Sequence, residues 1–244
     1  MSLLLMILGA AIASVLVAIL IVKFLPLKLR WMASVLLLIL AIFLGYQIYN
    51  GIMEPIKFAK VKVERYKPVI KSLKIIRDAQ MKYYEVNGNY TKDKEALIKF
   101  VDTAQLAITE TKTIVEKVNR GGGIIIDVEK RVTDTIGYEP VLNYFENKDY
   151  KNMWDVPGVA GKQFEVEVGT VEKVAGLVVP TFYVKTSKKD ILDGLSPSLV
   201  KQELEAIEAD QIKGEFVSVG SLDEVSTGGN WPPSYDKGDA VKKD

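Results

Sequence analysis

Two long runs without a charged side chain, Leu3 to Val22 and Trp31 to Tyr49, constrain this chain more than any other feature it has. A run of about 20 apolar residues, at about 1.5 Å of helical rise each, matches the roughly 30 Å hydrocarbon core of a bilayer. The link between them, Lys23-Phe24-Leu25-Pro26-Leu27-Lys28-Leu29-Arg30, places a helix-breaking proline among three cations. The pattern predicts a transmembrane hairpin over residues 1–50. Ala11-Ile12-Ala13 has the small-x-small form of a signal cleavage site, but no basic region precedes it and only a short apolar stretch stands before Gly9, so the segment reads as a retained span.

Small residues recur at one-turn spacing inside both runs. Gly9, Ala10, Ala13, Ser14 and Ala18 form such a face in the first, and Ala41 with Gly45 in the second. Faces of this kind let helices approach closely, first of all each other and then other subunits, so Gly9, Ala13, Ala41 and Gly45 are the candidate packing positions within the membrane. Neither run holds an ionisable residue of the sort that marks an ion or proton path, which argues against transport.

Beyond the hairpin the period changes. Gly51 and Pro55 punctuate the exit from lipid, and residues 51–90 then read as a membrane-proximal amphipathic helix. Tyr66, Val69, Leu73, Ile76, Gln80 and Tyr83 share one face, with Lys67, Lys71, Lys74, Arg77 and Lys82 on the others. Asn87-Gly88-Asn89 supplies a C-terminal stop. Thr91 is the expected N-cap of a shorter helix through Leu97, Ile98 and Val101.

Residues 91–225 alternate strand and turn signals. Leu106, Ile108 and then Ile114 to Val118 favour strand, Gly121-Gly122-Gly123 breaks the run before Ile124-Ile125-Ile126 and Val132 to Ile136, and Phe164, Val166 and Val168 alternate with Glu165 and Glu167. Val178 to Val184 is a partner strand in which Pro180 implies an edge or a strand start. Ser196-Pro197 opens a helix, and Phe216 to Val219 returns to strand. Residues 226–244 read as a flexible tail unless Trp231 docks. The predicted fold is α+β: two N-terminal transmembrane helices, a long amphipathic helix packing on an antiparallel sheet, and a further short helix.

The long helix also carries a resemblance. Ile76-Arg77-Asp78-Ala79-Gln80-Met81-Lys82-Tyr83-Tyr84, running into Asn87-Gly88-Asn89-Tyr90, resembles the first helix of type IV pilin-like proteins, the pseudopilins of secretion systems. From about Gly45 to Asn230-Trp231 the chain is also similar to uncharacterised membrane-anchored cell-envelope proteins of Bacteroidota. Pilins have one span and a glutamate close behind a cleaved leader, whereas this chain has two candidate spans and no acidic residue before Glu54. What the resemblance implies is an anchored helix packed on a sheet, not leader processing.

The absence of histidine and cysteine removes serine–histidine triads, thiol nucleophiles, and the usual zinc and haem ligand sets. Gly158-Val159-Ala160-Gly161-Lys162-Gln163 has glycines too close for a phosphate loop and no hydroxyl after the lysine, so it reads as a turn. Ser198-Leu199-Val200-Lys201 fits a serine–lysine spacing without its companion motifs, and it reads as the first turn of a helix. Asp127 with Glu129, Glu165 with Glu167, and Asp190 with Asp193 are carboxylate pairs that a solvated surface explains. No catalytic, cofactor or metal residue is assigned.

All 31 acidic residues lie beyond position 50, against the 29 basic ones left once Lys23, Lys28 and Arg30 are set aside, and a mixed, near-neutral surface is no nucleic-acid footprint. Cations flanking the second span, from Lys57 to Lys71, favour a cytoplasmic domain by count. The loop cations abut both spans, however, and the resembling envelope proteins expose this domain outside the inner membrane, so the reading is periplasmic. The expected function is a non-enzymatic structural or interaction subunit of a cell-envelope assembly. Its partners would be the bilayer and other envelope proteins or copies of itself, with Phe58, Tyr66 and Val69 as the candidate interaction surface. A membrane-tethered sensor or ligand-binding module is the alternative.

Overall fold

The computed structural model describes residues 12, 14–19, 23, 26, 30–119, 125–205 and 211–235. They form an α+β chain that divides into two units, Met1–Ala59 and Lys60–Asp244.

In the first unit, residues 14–19 are helical and exposed. Helix α1 begins at Arg30 and ends at Asn87. Among the described residues it is the one helix long and apolar enough to cross a membrane, through an 18-residue window of mean hydropathy 2.1 of which none is buried. Of the expected first span only Ile12 and residues 14–19 are described, and its packing positions Gly9, Ala10 and Ala13 fall outside the described residues. Ala41 and Gly45 are exposed, and a Cβ added at Gly45 would meet nothing. Gly51, Pro55 and Pro68 do not interrupt α1. A proline removes a single N–H from the ladder and crowds one carbonyl, which the surrounding turns tolerate.

The second unit is organised around α1 from Lys60 onward. Tyr66, Val69, Ile70, Leu73, Ile75, Ile76, Ala79 and Gln80 are buried, at three- and four-residue steps. The helix stops where expected: Gly88 takes φ +70 and its N–H donates to the Tyr84 carbonyl at 2.8 Å. The next helix, α2 (Lys94–Thr103), is capped by Asp93 rather than Thr91. The Asp93 carboxylate accepts from the N–H groups of Glu95 and Ala96, while the Thr91 hydroxyl accepts from Asp93 N–H and shapes the approach. A carboxylate placed there also faces the positive end of the helix dipole.

Five strands follow. β1 (Gln105–Asn119) and β2 (Ile125–Pro140) form a two-stranded antiparallel ribbon of their own. β3 (Glu165–Glu172), β4 (Val178–Ser187) and β5 (Phe216–Gly220) form an antiparallel sheet in the order β3-β4-β5. Pro180 sits near the start of the central strand β4, where the edge-or-start expectation holds locally. β5 pairs only with Tyr183 to Ser187, so at Pro180 β4 has a neighbour on one side alone and its missing N–H breaks no second ladder. Between β4 and β5 lie α3 (Lys188–Ile191) and α4 (Pro197–Glu205).

Phe182, Val184, Val217 and Val219 are fully buried sheet residues, and Leu97, Phe145, Phe164 and Ile212 bring the loops and α2 into the core. Each such side chain contributes roughly 1.5–3 kcal/mol by leaving water. The stretch from Ser226 is docked through Tyr235. Trp231 is only 8 % exposed, and the Asn230 side chain accepts from Ser218 N–H and donates to the Phe216 and Lys213 carbonyls. Gly220 N–H donates to the Gly228 carbonyl, so residues 228–230 lie along the free side of β5. Gly220 must be glycine, since it takes φ +80 and a Cβ there would run into the Phe182 carbonyl.

Candidate interaction surface

The proposed surface of Phe58, Tyr66 and Val69 does not exist as an exposed patch. Tyr66 and Val69 are 0 % exposed and Phe58 is half-buried. The expectation failed because the cover comes from segments distant in sequence. Tyr235 meets the Tyr66 ring edge-on at 6.1 Å, and Arg65, one residue earlier, donates to the Ile191 and Asp193 carbonyls at 2.9 and 2.7 Å. The core thus begins about two turns nearer the membrane-side end of the helix than Leu73.

Beneath that turn lies a charged cluster that the sequence reading missed. Lys62 reaches Glu203 on α4 at 2.9 Å, with the two side chains 14 % and 1 % exposed. Lys188, fully buried, donates to the Glu203 and Ile212 carbonyls. Burial lowers the Lys188 pKa, while the Glu203 carboxylate pulls it back up. The Tyr66 hydroxyl faces Glu203 without closing a hydrogen bond, and it and Glu203 Oε1 are buried atoms lacking one. Burial, followed by that carboxylate, pushes the Tyr66 pKa far above its ordinary range. One signal was available: Glu203 follows Leu199 by four and Val200 by three, on the apolar stripe of its helix. The cluster is a polar lock between α1 and α4, and its expense in desolvation means that it fixes position more than it adds stability.

The other singled-out residues have ordinary surroundings. Gly158 to Gln163 is a turn closed by Val156 N–H on the Lys162 carbonyl, with Lys162 reaching Asp190 at 3.5 Å. The Ser198 hydroxyl meets Ser196 at 3.2 Å, and Lys201 leans to Glu205 at 3.9 Å, so the serine–lysine pair is not assembled. Glu165 and Glu167 share a face as strand spacing requires, and Lys185 on β4 neutralises them at 3.7 and 2.8 Å. Among the described residues, no group of three or more candidate ligands is placed to hold a metal ion.

What remains exposed is the ribbon. Of its described side chains only Leu106, at its foot, is buried. Ile108, Ile114, Val115, Ile136 and Tyr138 are all more than two-fifths exposed, and Thr111 and Thr133 hydroxyls meet across the strands at 3.0 Å. Among the described residues both long edges lack a strand partner. Two strands alone are marginally stable in water, and unpaired edges are templates for another chain. At the foot of the ribbon, Lys82, Glu85, Leu106, Tyr138, Glu139 and Tyr144 line part of a groove of about 740 Å³. Lys82 lies 4.6 Å over the Tyr144 ring, and the Tyr144 hydroxyl donates to Glu139 at 3.0 Å, which raises its pKa. Comparison with protein-family models, curated proteins and solved structures finds no match for this chain, so its function must be argued from these residues.

Proposed function

We propose that this chain is a membrane-anchored, non-enzymatic structural or interaction subunit of a cell-envelope assembly, pseudopilin-like in its lipid-embedded helix continuing into a domain core. The observation that carries the reading is the ribbon of β1 and β2, exposed on both faces and unpaired at both edges. A chain that keeps such edges without covering them invites strand addition by a partner. The apolar stretch from Trp31 to Tyr49, exposed at every residue but Ala33, supports anchoring, since an apolar run of this length needs lipid around it. In this reading a second span precedes it, the pair packing through Gly9, Ala13, Ala41 and Gly45, and the domain faces the periplasm of the inner membrane.

Purification in mild detergent tests the proposal. The intact protein should bring stoichiometric partners or further copies of itself, and replacing residues 105–140 by a short linker should release them. A lone monomer in both cases would sink it. Protease cleavage of the domain in spheroplasts, but not in intact cells, is the expected topology result. The groove at the ribbon's foot favours the second reading, a membrane-tethered binding module, because its volume suits a small ligand. That reading predicts a monomer whose thermal midpoint rises with a metabolite from a small-molecule screen and loses that response in Tyr144→Ala.

A further inference from the structure

The two edges of the ribbon differ in how their charges are met. On β1, Glu110 and Lys112 pair along the strand at 2.9 Å. On β2, Asp134 lies directly opposite Glu110, a like-charge juxtaposition, and no described cation meets it. Its neighbour Lys130 has Glu116 only at 4.0 Å, with both side chains more than half exposed. Like charges facing each other across a ladder weaken it, so the middle of β2 carries an anion that lacks its cation and a cation weakly held.

Antiparallel pairing of an edge with its own copy requires a two-fold axis through one residue, with positions equidistant from it meeting face to face. From Val128 to Asp134, short of the irregularity at Ile136 that rules out an axis at Thr135, the choices can be tested one by one against the sequence. An axis at Glu129, Lys130, Arg131 or Asp134 sets a charge against its own copy, and one at Val128 sets Asp127 against Glu129. An axis at Thr133 forms no ion pair. An axis at Val132 sets Val132 on Val132, Lys130 on Asp134 twice, Arg131 on Thr133 and Glu129 on Thr135, with no like-charge contact. The straight edge also ends in the right place, because the register shift opposite Ile108/Thr109 leaves Ile136 as an extra residue just beyond Thr135.

We propose that β2 pairs antiparallel with β2 of a second copy of this chain about a two-fold axis at Val132, converting two ribbons into one four-stranded sheet. The proposal rests on the reading of the chain as an assembly subunit and names its partner. Pairing supplies the cation that Asp134 lacks, and it takes the ribbon past the three strands that independent stability needs.

The chain has no cysteine, so single-cysteine variants of the full-length protein in its own membrane report the register. Val132→Cys should form a disulfide-linked dimer on mild oxidation, since directly opposed residues bring their Cα atoms to about 4.5–5.5 Å. Lys112→Cys, opposite Val132 but one strand further out, should stay monomeric. Lys130→Glu in the Val132→Cys background should cut the dimer about tenfold or more by setting acid on acid, and adding Asp134→Lys should restore it. Equal crosslinking at Lys112→Cys would mean random collision and overturn the proposal. Crosslinking of Val132→Cys to a different protein, or none while stoichiometric partners still co-purify, would overturn the second-copy partner and leave the subunit reading standing. Loss of partners altogether would take both.

Discussion

The two antiparallel arrays of the second unit are made from similar residues and put to opposite use. β4 and β5 bury Phe182, Val184, Val217 and Val219 completely, and residues 228–230 cover the free side of β5. β1 and β2 run to 15 and 16 residues against 10 and 5 for β4 and β5, are equally rich in valine, isoleucine and threonine, and leave nearly all of them in solvent. Composition does not separate the two, and periodicity does so only partly. What separates them is whether another segment of the same chain arrives to cover a face or an edge. The sheet is a finished object, and the ribbon is the part of the fold still waiting for a neighbour.

The contrast predicts a gradient of mutational effects, measurable by urea unfolding of the full-length protein in detergent. Leu73→Asp, placing a charge in the fully buried stretch of α1, should remove at least about 4 kcal/mol or prevent folding, and a mild effect would mean the core is looser than the packing implies. Glu203→Ala should cost about 3–5 kcal/mol by stranding Lys62 beside Lys188. Tyr66→Phe should change stability by no more than about 1 kcal/mol at neutral pH, because the hydroxyl it removes has no hydrogen-bond partner.

The same variant has a signature at alkaline pH. The folded-state pKa of Tyr66 is raised above its ordinary value of 10.0, so its contribution is present below that value and is lost as rising pH ionises the unfolded chain alone. The fall in stability above that pH should be shallower in Tyr66→Phe. At the foot of the gradient, Val115→Asp on the exposed ribbon should stay within about 0.5 kcal/mol of the parent in the monomer. If it unfolded the protein as Leu73→Asp does, the division between finished sheet and waiting ribbon would be broken.

Much of this fold could be read from residue patterns. The apolar run from Trp31 to Tyr49, the amphipathic face from Tyr66 to Gln80, the stop at Gly88, the paired strands and the Ser196-Pro197 helix start are all local signals, each carried by a few neighbouring residues. The failures share a cause, which is that burial is decided by residues far away in sequence. Tyr66 and Val69 looked like surplus apolar surface because nothing near them in the chain could cover them, yet Tyr235 meets the Tyr66 ring and the neighbouring Arg65 is tied to the Ile191 and Asp193 carbonyls. Lys188 carried no local signal of burial, and it is buried with the carbonyls of Glu203 and Ile212 converging on it. The ribbon's strands were legible, whereas their isolation was not, since alternation describes a strand and not the company it keeps.

The docking of Trp231 and Tyr235 carries a consequence in time. Tyr66 is among the first residues of the domain to be synthesised and Tyr235 among its last, yet they share a ring contact, and β5 gains its edge cover only from residues 228–230. A chain emerging from the ribosome can form α1 early, because a helix needs only its own neighbours, but it cannot close the core until its final segment is free. For most of synthesis the buried face of α1 has no cover, and the nascent domain leaves that apolar surface in water. Truncation anywhere before Trp231 would then leave the domain permanently in that unfinished state, and loss of its last described residues would be felt as a failure to mature rather than as the loss of a tail.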